Sequence, residues 1–303
     1  MSSREFIALG TASQVPTRYR NHNAYFLRWD EHGFLFDPGE GTQRQMTYAG
    51  LASSQLNRIF ITHFHGDHCL GLAGLVQRIS LDGVGHPVHV HYPASGQVFF
   101  DRLRRASIFH DKSDIRPEPI HSEGVLFTED KLTVTTRKLK HGVPSWGFRL
   151  KETDSRRMLP EKLGELGLRG PAVGQLLREG SIEHDGRTIG VEEVSEPRPG
   201  QVFAFVMDTR ICDNAFALAE GADMLVCEST YLSSEKEEAI ARGHMTAAQA
   251  ARIAKESGVR RLVLTHFSQR YPDSRAFLDE AREIHDDVVA VRDGDLVSVP
   301  KRR

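Results

Sequence analysis

The chain has 303 residues and carries 39 Lys and Arg against 41 Asp and Glu, a formal net charge of −2. This balance excludes a general attraction to nucleic acid or to an anionic membrane, so a polyanion must bind at a local basic patch. Ordinary apolar and charged fractions exclude a disordered chain and a disulfide scaffold, and three cysteines without paired spacing favour a reducing compartment. Because no apolar stretch approaches the roughly 18 residues of a membrane-spanning helix, we expect a cytoplasmic protein with no membrane partner.

The first 150 residues predict strands separated by two helices. Short apolar runs rich in β-branched and aromatic residues end at Gly, Asp, Thr or His, which is typical of strands. Apolar residues that recur at steps of three and four predict helices. The predicted strands lie at 6–10, 24–29, 33–39, 58–63, 88–93 and 131–140, and the predicted helices at 69–81 and 97–109.

Residues 151–200 interrupt this pattern, because they are rich in charge, proline and glycine and poor in β-branched residues. We interpret them as an arm inserted into a single domain that spans residues 1–303. Strands alternating with helices on both sides of the arm predict sheets covered by helices, an α/β or α+β layered sandwich. After the arm, strands are predicted at 202–208, 224–230 and 261–267, helices at 211–221, 234–242, 246–256 and 274–285, and a closing pair of strands within 288–300.

Three histidines and one aspartate crowd into residues 63–68, directly after a predicted strand. Residues two apart in an extended segment point the same way, so His63 and His65 can share one metal ion. The glycine that follows permits a sharp turn, which lets Asp67 and His68 face the same hollow. Imidazole nitrogen and carboxylate oxygen suit zinc with open positions for water. Histidines that only cap the next helix are the alternative, which this density of donors disfavours.

Further metal ligands are expected from other strand ends. His141, Asp208 and His266 each end a predicted strand, and sites in open α/β sheets gather at the carboxyl ends of strands. Taken alone, each has an ordinary explanation as a solvated histidine or the start of a turn, and their shared location is what favours a cluster. The histidines at 86, 89 and 91 are explained adequately by a half-exposed strand.

Several motifs resemble known families. THFHGDH at 62–68 resembles the signature of the metallo-β-lactamase fold, and His141, Asp208 and His266 occur in that family's order. Other segments resemble the ribonuclease Z family, the endonucleases that mature tRNA 3′ ends. These segments are PTRYRN at 16–21, GEGTQRQM at 39–46, KHGVPSWGFRL at 140–150, MDTR at 207–210 and LTHFSQRY at 264–271. The resemblance implies a metallo-β-lactamase-type αββα sandwich in which the inserted arm is a tRNA-binding exosite.

The resemblance also implies two zinc ions per subunit, with manganese as the alternative metal. One would be held by His63, His65 and His141 and the other by Asp67, His68 and His266, with Asp208 bridging. Two such metals can stabilise an in-line displacement at phosphorus. Asp67 can accept the proton of the attacking water, and the family pairs a glutamate with a histidine, here Glu228 and His244, that protonates the departing 3′ oxygen. For His244 the alternative is a cap on the helix that follows.

The same resemblance implies how precursor tRNA is held. The family's arm carries a Gly-Pro at its tip and serves the active site of the partner subunit, so a homodimer is expected. Its contacts should be dominated by phosphates, although composition alone favours a solvated insertion. The loop at 16–21 resembles one that senses a CCA end, and no DNA partner is expected. The substrate-binding candidates are Arg18, Arg20, Asn21, Arg156, Arg157, Lys162, Arg169, Gly170 and Pro171.

The expected function is a zinc-dependent endoribonuclease that cleaves the 3′ trailer from tRNA precursors near the discriminator. It would leave a 3′-hydroxyl on the tRNA and a 5′-phosphate on the trailer. The alternatives are a small-ester or thioester hydrolase of the same fold, such as a lactonase or glyoxalase II-like enzyme, and an RNA-binding module with structural metals. The arm and GEGTQRQ disfavour the hydrolase, and Glu228 with His244 disfavours the module. Met207 and Met245 stand where the family usually has glycine and serine, so the pocket shape beside them is left open.

Overall fold

The computed structural model describes residues 4–302 and begins with alternating strands and helices. The strands of this first part are β1 (Arg4–Gly10), β2 (Ala24–Trp29), β3 (His32–Phe36), β4 (Arg58–Phe60), β5 (Val88–Pro93) and β6 (Ile115–Ile120). Its helices are α1 (Thr42–Tyr48), α2 (Gly66–Cys69), α3 (Leu72–Leu81) and α4 (Gln97–Arg104).

The middle of the chain is mostly strand. Its strands are β7 (Gly124–Glu129), β8 (Leu132–Leu139), β9 (Ser145–Glu152), β10 (Ser155–Met158), β11 (Ser181–His184), β12 (Arg187–Gly190) and β13 (Ser195–Arg198), and its helices are α5 (Pro160–Glu165) and α6 (Pro171–Glu179). The last part returns to alternation. Its strands are β14 (Val202–Val206), β15 (Met224–Glu228), β16 (Arg261–Thr265), β17 (Val288–Ala290) and β18 (Leu296–Ser298), and its helices are α7 (Asp213–Ala219), α8 (Lys236–Arg242), α9 (Ala247–Glu256) and α10 (Arg275–Arg282). Among residues 4–302, no helix combines the length and the apolar character that crossing a bilayer requires.

Two mixed sheets of seven strands form the middle layers. Their strand orders are β18-β1-β2-β3-β4-β5-β6 and β17-β16-β15-β14-β9-β8-β7. In each sheet four consecutive strands are parallel, β3 to β6 in the first and β14 to β17 in the second. Parallel neighbours need crossover connections, and these place helices on the outer faces. The predicted αββα sandwich is therefore confirmed.

An aromatic core joins the two sheets. Phe36 is completely buried, and its ring centroid lies 5.0 Å from that of Phe60 in its own sheet and 4.6 Å from that of Phe205 in the facing sheet. Each sheet also has one apolar cluster between it and its outer helices. The cluster of the first sheet includes Leu75 of α3, and that of the second includes Ala250 of α9. Both faces of each sheet are thus covered, which explains why β14 is apolar at all five positions.

Two predicted helices are shorter than their sequence pattern. The helix predicted at 69–81 breaks before Leu72, because Gly71 packs directly on the loop after β3. A Cβ at Gly71 would lie 2.0 Å from the carbonyl oxygen of Gly39, and the Gly71 amide donates to Pro38. The helix predicted at 97–109 ends at Arg104, since Ile108 is fully exposed and the segment beyond α4 has little apolar surface to bury.

The sequence predicted that the two closing strands form a pair, but they do not pair with each other. β17 adds to β16 at one edge of the second sheet, whereas β18 adds to β1 at one edge of the first. Each strand covers an open sheet edge, which a hairpin between them would leave unpaired. The edge strand β6 was not predicted because it contains Pro117 and Pro119, which an edge strand tolerates.

Residues between β9 and β14 build a small unit of their own. The strands β10 and β13 form one antiparallel pair, and β11 and β12 form another. The unit has a separate apolar cluster, in which the buried residues are Leu168, Leu176, Ile182, Ile189, Val191 and Val194. These features suit the interpretation of residues 151–200 as an inserted arm.

We predict that Phe36→Ala lowers the free energy of unfolding by about 3–5 kcal/mol, because it leaves a cavity where both sheets meet. Chemical denaturation of the two proteins measures this change. The control is Leu81→Ala, since Leu81 is 84% exposed, and it should change stability by less than about 0.5 kcal/mol. Equal losses for both variants would show that the inter-sheet core is not the main source of stability.

Candidate metal centre

The residues that follow four strands meet at one rim of the sandwich. His63 follows β4, while His141, Asp208 and His266 follow β8, β14 and β16. Asp208 and His266 adopt positive φ angles of 37° and 63°, a left-handed conformation that ordinary side chains rarely take. Strained backbone of this kind is found where the surrounding structure fixes a functional side chain.

One group of donors surrounds His65. The Nε2 atom of His63 lies 2.9 Å from Nδ1 of His65, which in turn lies 3.2 Å from Nε2 of His141. Asp208 completes the group, with Oδ2 3.6 Å from His63 Nε2. The side chains of His63 and His65 point the same way, as the extended segment predicted. Their ligand atoms and those of His141 and Asp208 all lie within 4.8 Å of one another, close enough to hold a metal ion.

A second group adjoins the first through Asp208. The Nε2 atom of His68 is 3.3 Å from Asp67 Oδ2 and 3.4 Å from Asp208 Oδ2. His266 Nε2 lies 3.7 Å from Asp67 Oδ2 and 3.1 Å from Asp208 Oδ1. Asp67, His68 and His266 together could hold a metal ion. The structure therefore brings all seven predicted ligands together, with Asp208 between the two groups.

The environment of these atoms fits a cation. Asp208 Oδ1 and His266 Nε2 are both buried. Although they lie 3.1 Å apart, neither forms a hydrogen bond with the other or with any other described residue. Such a group normally costs about 1–3 kcal/mol, which a bound cation would offset. Burial opposes a charge on His68, yet the carboxylates of Asp208, Asp67 and Asp37 raise the pKa of its imidazole well above the usual value. These carboxylates therefore favour positive charge next to them, whereas burial lowers the pKa values of His63 and His65 and favours their neutral, metal-binding form. The nitrogen and oxygen donors suit zinc.

Neighbouring groups orient the donors. Asp37 is fully buried, accepts hydrogen bonds from the amide and hydroxyl of Thr62, and lies 2.9 Å from His68 Nδ1. The Thr230 hydroxyl is 2.8 Å from Nδ1 of His266, so the Nε2 atom faces the site. Contacts of this kind fix the orientation of metal-binding imidazoles. The sequence prediction missed Asp37. Asp208 was selected because it is an acidic residue at the end of a strand, and Asp37, close to the end of the predicted strand 33–39, could have been found in the same way.

His244 lies beside both groups and is held by a buried carboxylate. Its Nδ1 atom is 3.1 Å from Oε1 of Glu228, which also accepts a hydrogen bond from the Thr209 amide. Burial would lower the pKa of His244, but the charges of Glu228 and Asp208 raise it to about 9. The hydroxyl of Thr246, not His244, caps α9, so the capping alternative does not hold.

The donors open to solvent through a cavity of about 700 Å³. Its wall includes His65, Asp67, His141, Asp208 and His244. Burial opposes the charge on Asp67, but His68 and His266 hold the pKa of its carboxyl well below the usual value. The Asp67 carboxylate is thus ionised, and it forms part of the cavity wall.

The histidines of β5 stay outside this centre. His91 is buried and stacks on Phe60 with ring centroids 4.8 Å apart, and His89 pairs with Glu118 at 2.8 Å. The strand is not half-exposed as predicted, since five of its six residues are buried, and its own contacts account for His89 and His91.

The loop at 16–21 directly follows Gln14 and Val15 of the cavity wall, and its basic residues differ in exposure. Arg18 is exposed. Arg20 is buried and donates to the carbonyl oxygens of Ser268 and Tyr271, and burial lowers the pKa of its guanidinium. Asn21 donates from its side-chain amide to the Glu40 carbonyl. In this conformation Arg20 and Asn21 hold the loop, and Arg18 is the side chain free to meet a substrate.

The candidate residues of the arm are mostly exposed. Lys162, Arg169, Gly170 and Pro171 lie on its surface, with Gly170 at a positive φ of 55° before the first turn of α6. Arg157 is also exposed and pairs with Glu196 at 2.6 Å. Arg156 is half-buried and donates to Ser195, so it is the member of the set with a role inside the arm.

The chain is similar to proteins of one superfamily. Residues 17–200 match the Metallo-beta-lactamase superfamily, and residues 165–267 match the Beta-lactamase superfamily domain. Among solved structures, YhfI from Bacillus subtilis, a metallo-beta-lactamase fold protein, superposes with a TM-score of 0.72 at 17% identity, covering 98% of this chain and 100% of that one. The short form of human tRNase Z gives a TM-score of 0.72 at 26% identity, covering 98% of this chain and 100% of the human one.

Closer similarity is found in sequence. Ribonuclease Z of Salinispora arenicola is 56% identical over 304 residues, covering 100% of this chain and 98% of that protein. Ribonuclease Z of Streptomyces avermitilis is 55% identical over 304 residues, covering 100% of both. The chain therefore belongs to the ribonuclease Z family of the metallo-β-lactamase superfamily.

Proposed function

We propose that the protein is a metal-dependent endoribonuclease that removes the 3′ trailer from precursor tRNA near the discriminator. The products would be a tRNA with a 3′-hydroxyl and a trailer with a 5′-phosphate. The observation that carries this proposal is the pair of His/Asp groups that share Asp208 at an open cavity. Full-length similarity to proteins named ribonuclease Z supports the substrate class.

Two zinc ions fit the donor set best, with manganese as the alternative. His63, His65 and His141 would hold one ion and Asp67, His68 and His266 the other, while Asp208 would contact both. When bound, the ions would supply Lewis-acid stabilisation to the oxygens of the scissile phosphate.

Asp67 is proposed to accept the proton of the attacking water. Its Oδ2 atom is fixed by the amide of Gln14 at 2.8 Å, and its carboxylate lines the cavity. A general base must lie within hydrogen-bond reach of the proton that it accepts, and a fixed carboxylate at the cavity wall meets this requirement.

His244 is proposed to protonate the departing 3′ oxygen. Glu228 holds the ring through Nδ1, so Nε2 is the atom available to carry the proton. Glu228 is itself fixed by the Thr209 amide and the Thr230 hydroxyl, each at 2.7 Å, which makes it a positioning residue.

The arm and the loop at 16–21 are proposed to hold the tRNA. Exposed basic residues at the arm's surface suit phosphate contacts, and Arg18 suits the end of the RNA. Arg20 and Asn21 would act by shaping the loop. In a homodimer, the arm of one subunit would serve the site of the other, and the protein would work in the cytoplasm.

Incubation with a 3′-extended precursor tRNA tests the proposed function. We expect a single cut near the discriminator that a chelator abolishes and added zinc or manganese restores. Because metal binds the folded state, the chelator should also lower the thermal unfolding midpoint. Elemental analysis of the active protein counts the ions. Cleavage at full rate without bound transition metal would refute the proposed centre.

Asp67→Ala should nearly abolish cleavage of the precursor and leave its affinity for RNA close to normal, because Asp67 acts on water and metal. Turnover and binding of the same precursor are measured side by side. Asp286→Ala is the control, since Asp286 is an exposed aspartate remote in sequence from the centre, and it should keep normal turnover. Unchanged turnover in Asp67→Ala would remove this residue from the mechanism.

His244→Ala should slow precursor cleavage by roughly 10²- to 10⁴-fold with normal metal content, since general acid catalysis contributes about this much. Hydrolysis of bis-p-nitrophenyl phosphate should suffer far less, because nitrophenolate leaves without a proton. Glu228→Gln should show the same pattern with a smaller loss. An equal loss on both substrates, or loss of metal, would assign His244 to metal binding.

A further inference from the structure

A second cavity, of about 820 Å³, lies on the other side of His244. His244 lines both this cavity and that of the metal centre, so the two spaces are neighbours. We call the second cavity the basic groove, because its lining includes the basic residues Lys140, Arg210, Lys236, Arg252 and Lys255. Nothing in the proposed mechanism uses these side chains.

The lining of the basic groove has five basic residues and one acidic residue, and a second carboxylate, Glu280, accepts hydrogen bonds from the amides of the lining residues Ser233 and Ala248. Glu256 is the single acidic residue of the lining, and it is already paired with Arg252 at 2.7 Å. Within residues 4–302, the side chains of Lys140, Lys236 and Lys255 make no ion pair, and all three are exposed. Unpaired cations that surround one hollow on a chain of net charge −2 indicate an anionic ligand.

The charges come from separate rigid elements. Arg252 and Lys255 are three residues apart on α9, so they lie on one face of the helix. Lys236 is the first residue of α8, and Lys140 directly follows β8. Arg210 is fixed by a hydrogen bond from Nε to the Ile240 carbonyl at 2.6 Å. Cations distributed over four segments of the chain suit a ligand with several phosphates better than a single anion.

We propose that the basic groove binds backbone phosphates of the tRNA acceptor stem, on the side of the cut that stays with the mature tRNA. This inference rests on the proposed function. There, His244 donates its proton to the departing 3′ oxygen, and that oxygen belongs to the tRNA body. Gln14 and Val15, which also line the metal-centre cavity, directly precede the loop at 16–21 that is proposed to meet the end of the RNA. A groove that shares His244 therefore lies along the path of the acceptor stem.

Binding of mature tRNA tests the proposal, because mature tRNA has the acceptor stem and lacks the trailer. The variant is the double substitution Lys236→Glu with Lys255→Glu. The control is Lys112→Glu with Lys131→Glu, which reverses two exposed lysines that, among the described residues, make no ion pair. The Kd for mature tRNA is measured for the metal-loaded proteins at several salt concentrations, and kcat and KM are measured with precursor tRNA and with bis-p-nitrophenyl phosphate.

We expect the groove variant to bind mature tRNA at least about tenfold more weakly than the control, with a salt slope reduced by about 0.7–0.9 for each lost phosphate contact. Its KM for precursor should rise in parallel, and hydrolysis of bis-p-nitrophenyl phosphate should be unchanged.

Two results would overturn the proposal. If both variants bound mature tRNA equally, the groove would not bind RNA. If only precursor binding weakened, the groove would hold the trailer and not the stem. The proposed function fails separately, if the unsubstituted protein does not cut the precursor.

Discussion

The close approach of four imidazole rings to the buried carboxylate of Asp208 is the constraint on which the rest of the structure depends. Its carboxylate is 2% exposed and lies within 3.7 Å of ring nitrogens of His63, His68, His141 and His266. Several of these nitrogen and oxygen atoms face one another, which is unfavourable unless positive charge lies between them. The folded scaffold therefore bears the cost of assembling a pocket of carboxylates and imidazoles, and a bound cation would offset that cost.

The scaffold can hold this arrangement because four of the donors, His63, His141, Asp208 and His266, follow strands of sheets that are covered on both faces. Asp37, Asp208 and His266 follow β3, β14 and β16, and all three have positive φ angles. A left-handed residue is unfavourable by about 1–3 kcal/mol and persists only where its surroundings fix it. Here the hydrogen bonds of Thr62 and Thr230 supply part of that fixation. The aromatic contact of Phe36 with Phe205 joins the two sheets from which these strands come.

Local signals in the sequence predicted sheets covered by helices and the donors that assemble at the rim, whereas the αββα arrangement was implied by the family resemblance. Apolar runs mark buried strands, and a ligand-type residue after a strand marks the rim. What those signals missed depends on long-range packing. The break before Leu72 reflects contact of Gly71 with Gly39, and the separation of β17 from β18 reflects two open sheet edges. Likewise, the motif at 16–21 identifies Arg20 as a candidate residue but does not predict that Arg20 is buried against Ser268 and Tyr271, because a motif contains no information about distant partners.

A net charge of −2 becomes an advantage under the proposed function. A uniformly basic protein would bind any RNA, whereas this chain places groups of exposed cations on separate surfaces, which include the arm, Arg18 and the basic groove. Each surface alone offers few phosphate contacts and thus weak, salt-sensitive binding. Contacts made by one rigid ligand to several surfaces reinforce one another, because the first raises the effective concentration for the next. Only an RNA whose folded shape spans these surfaces gains that reinforcement, so the spacing of the charges selects for tRNA shape without reading its bases.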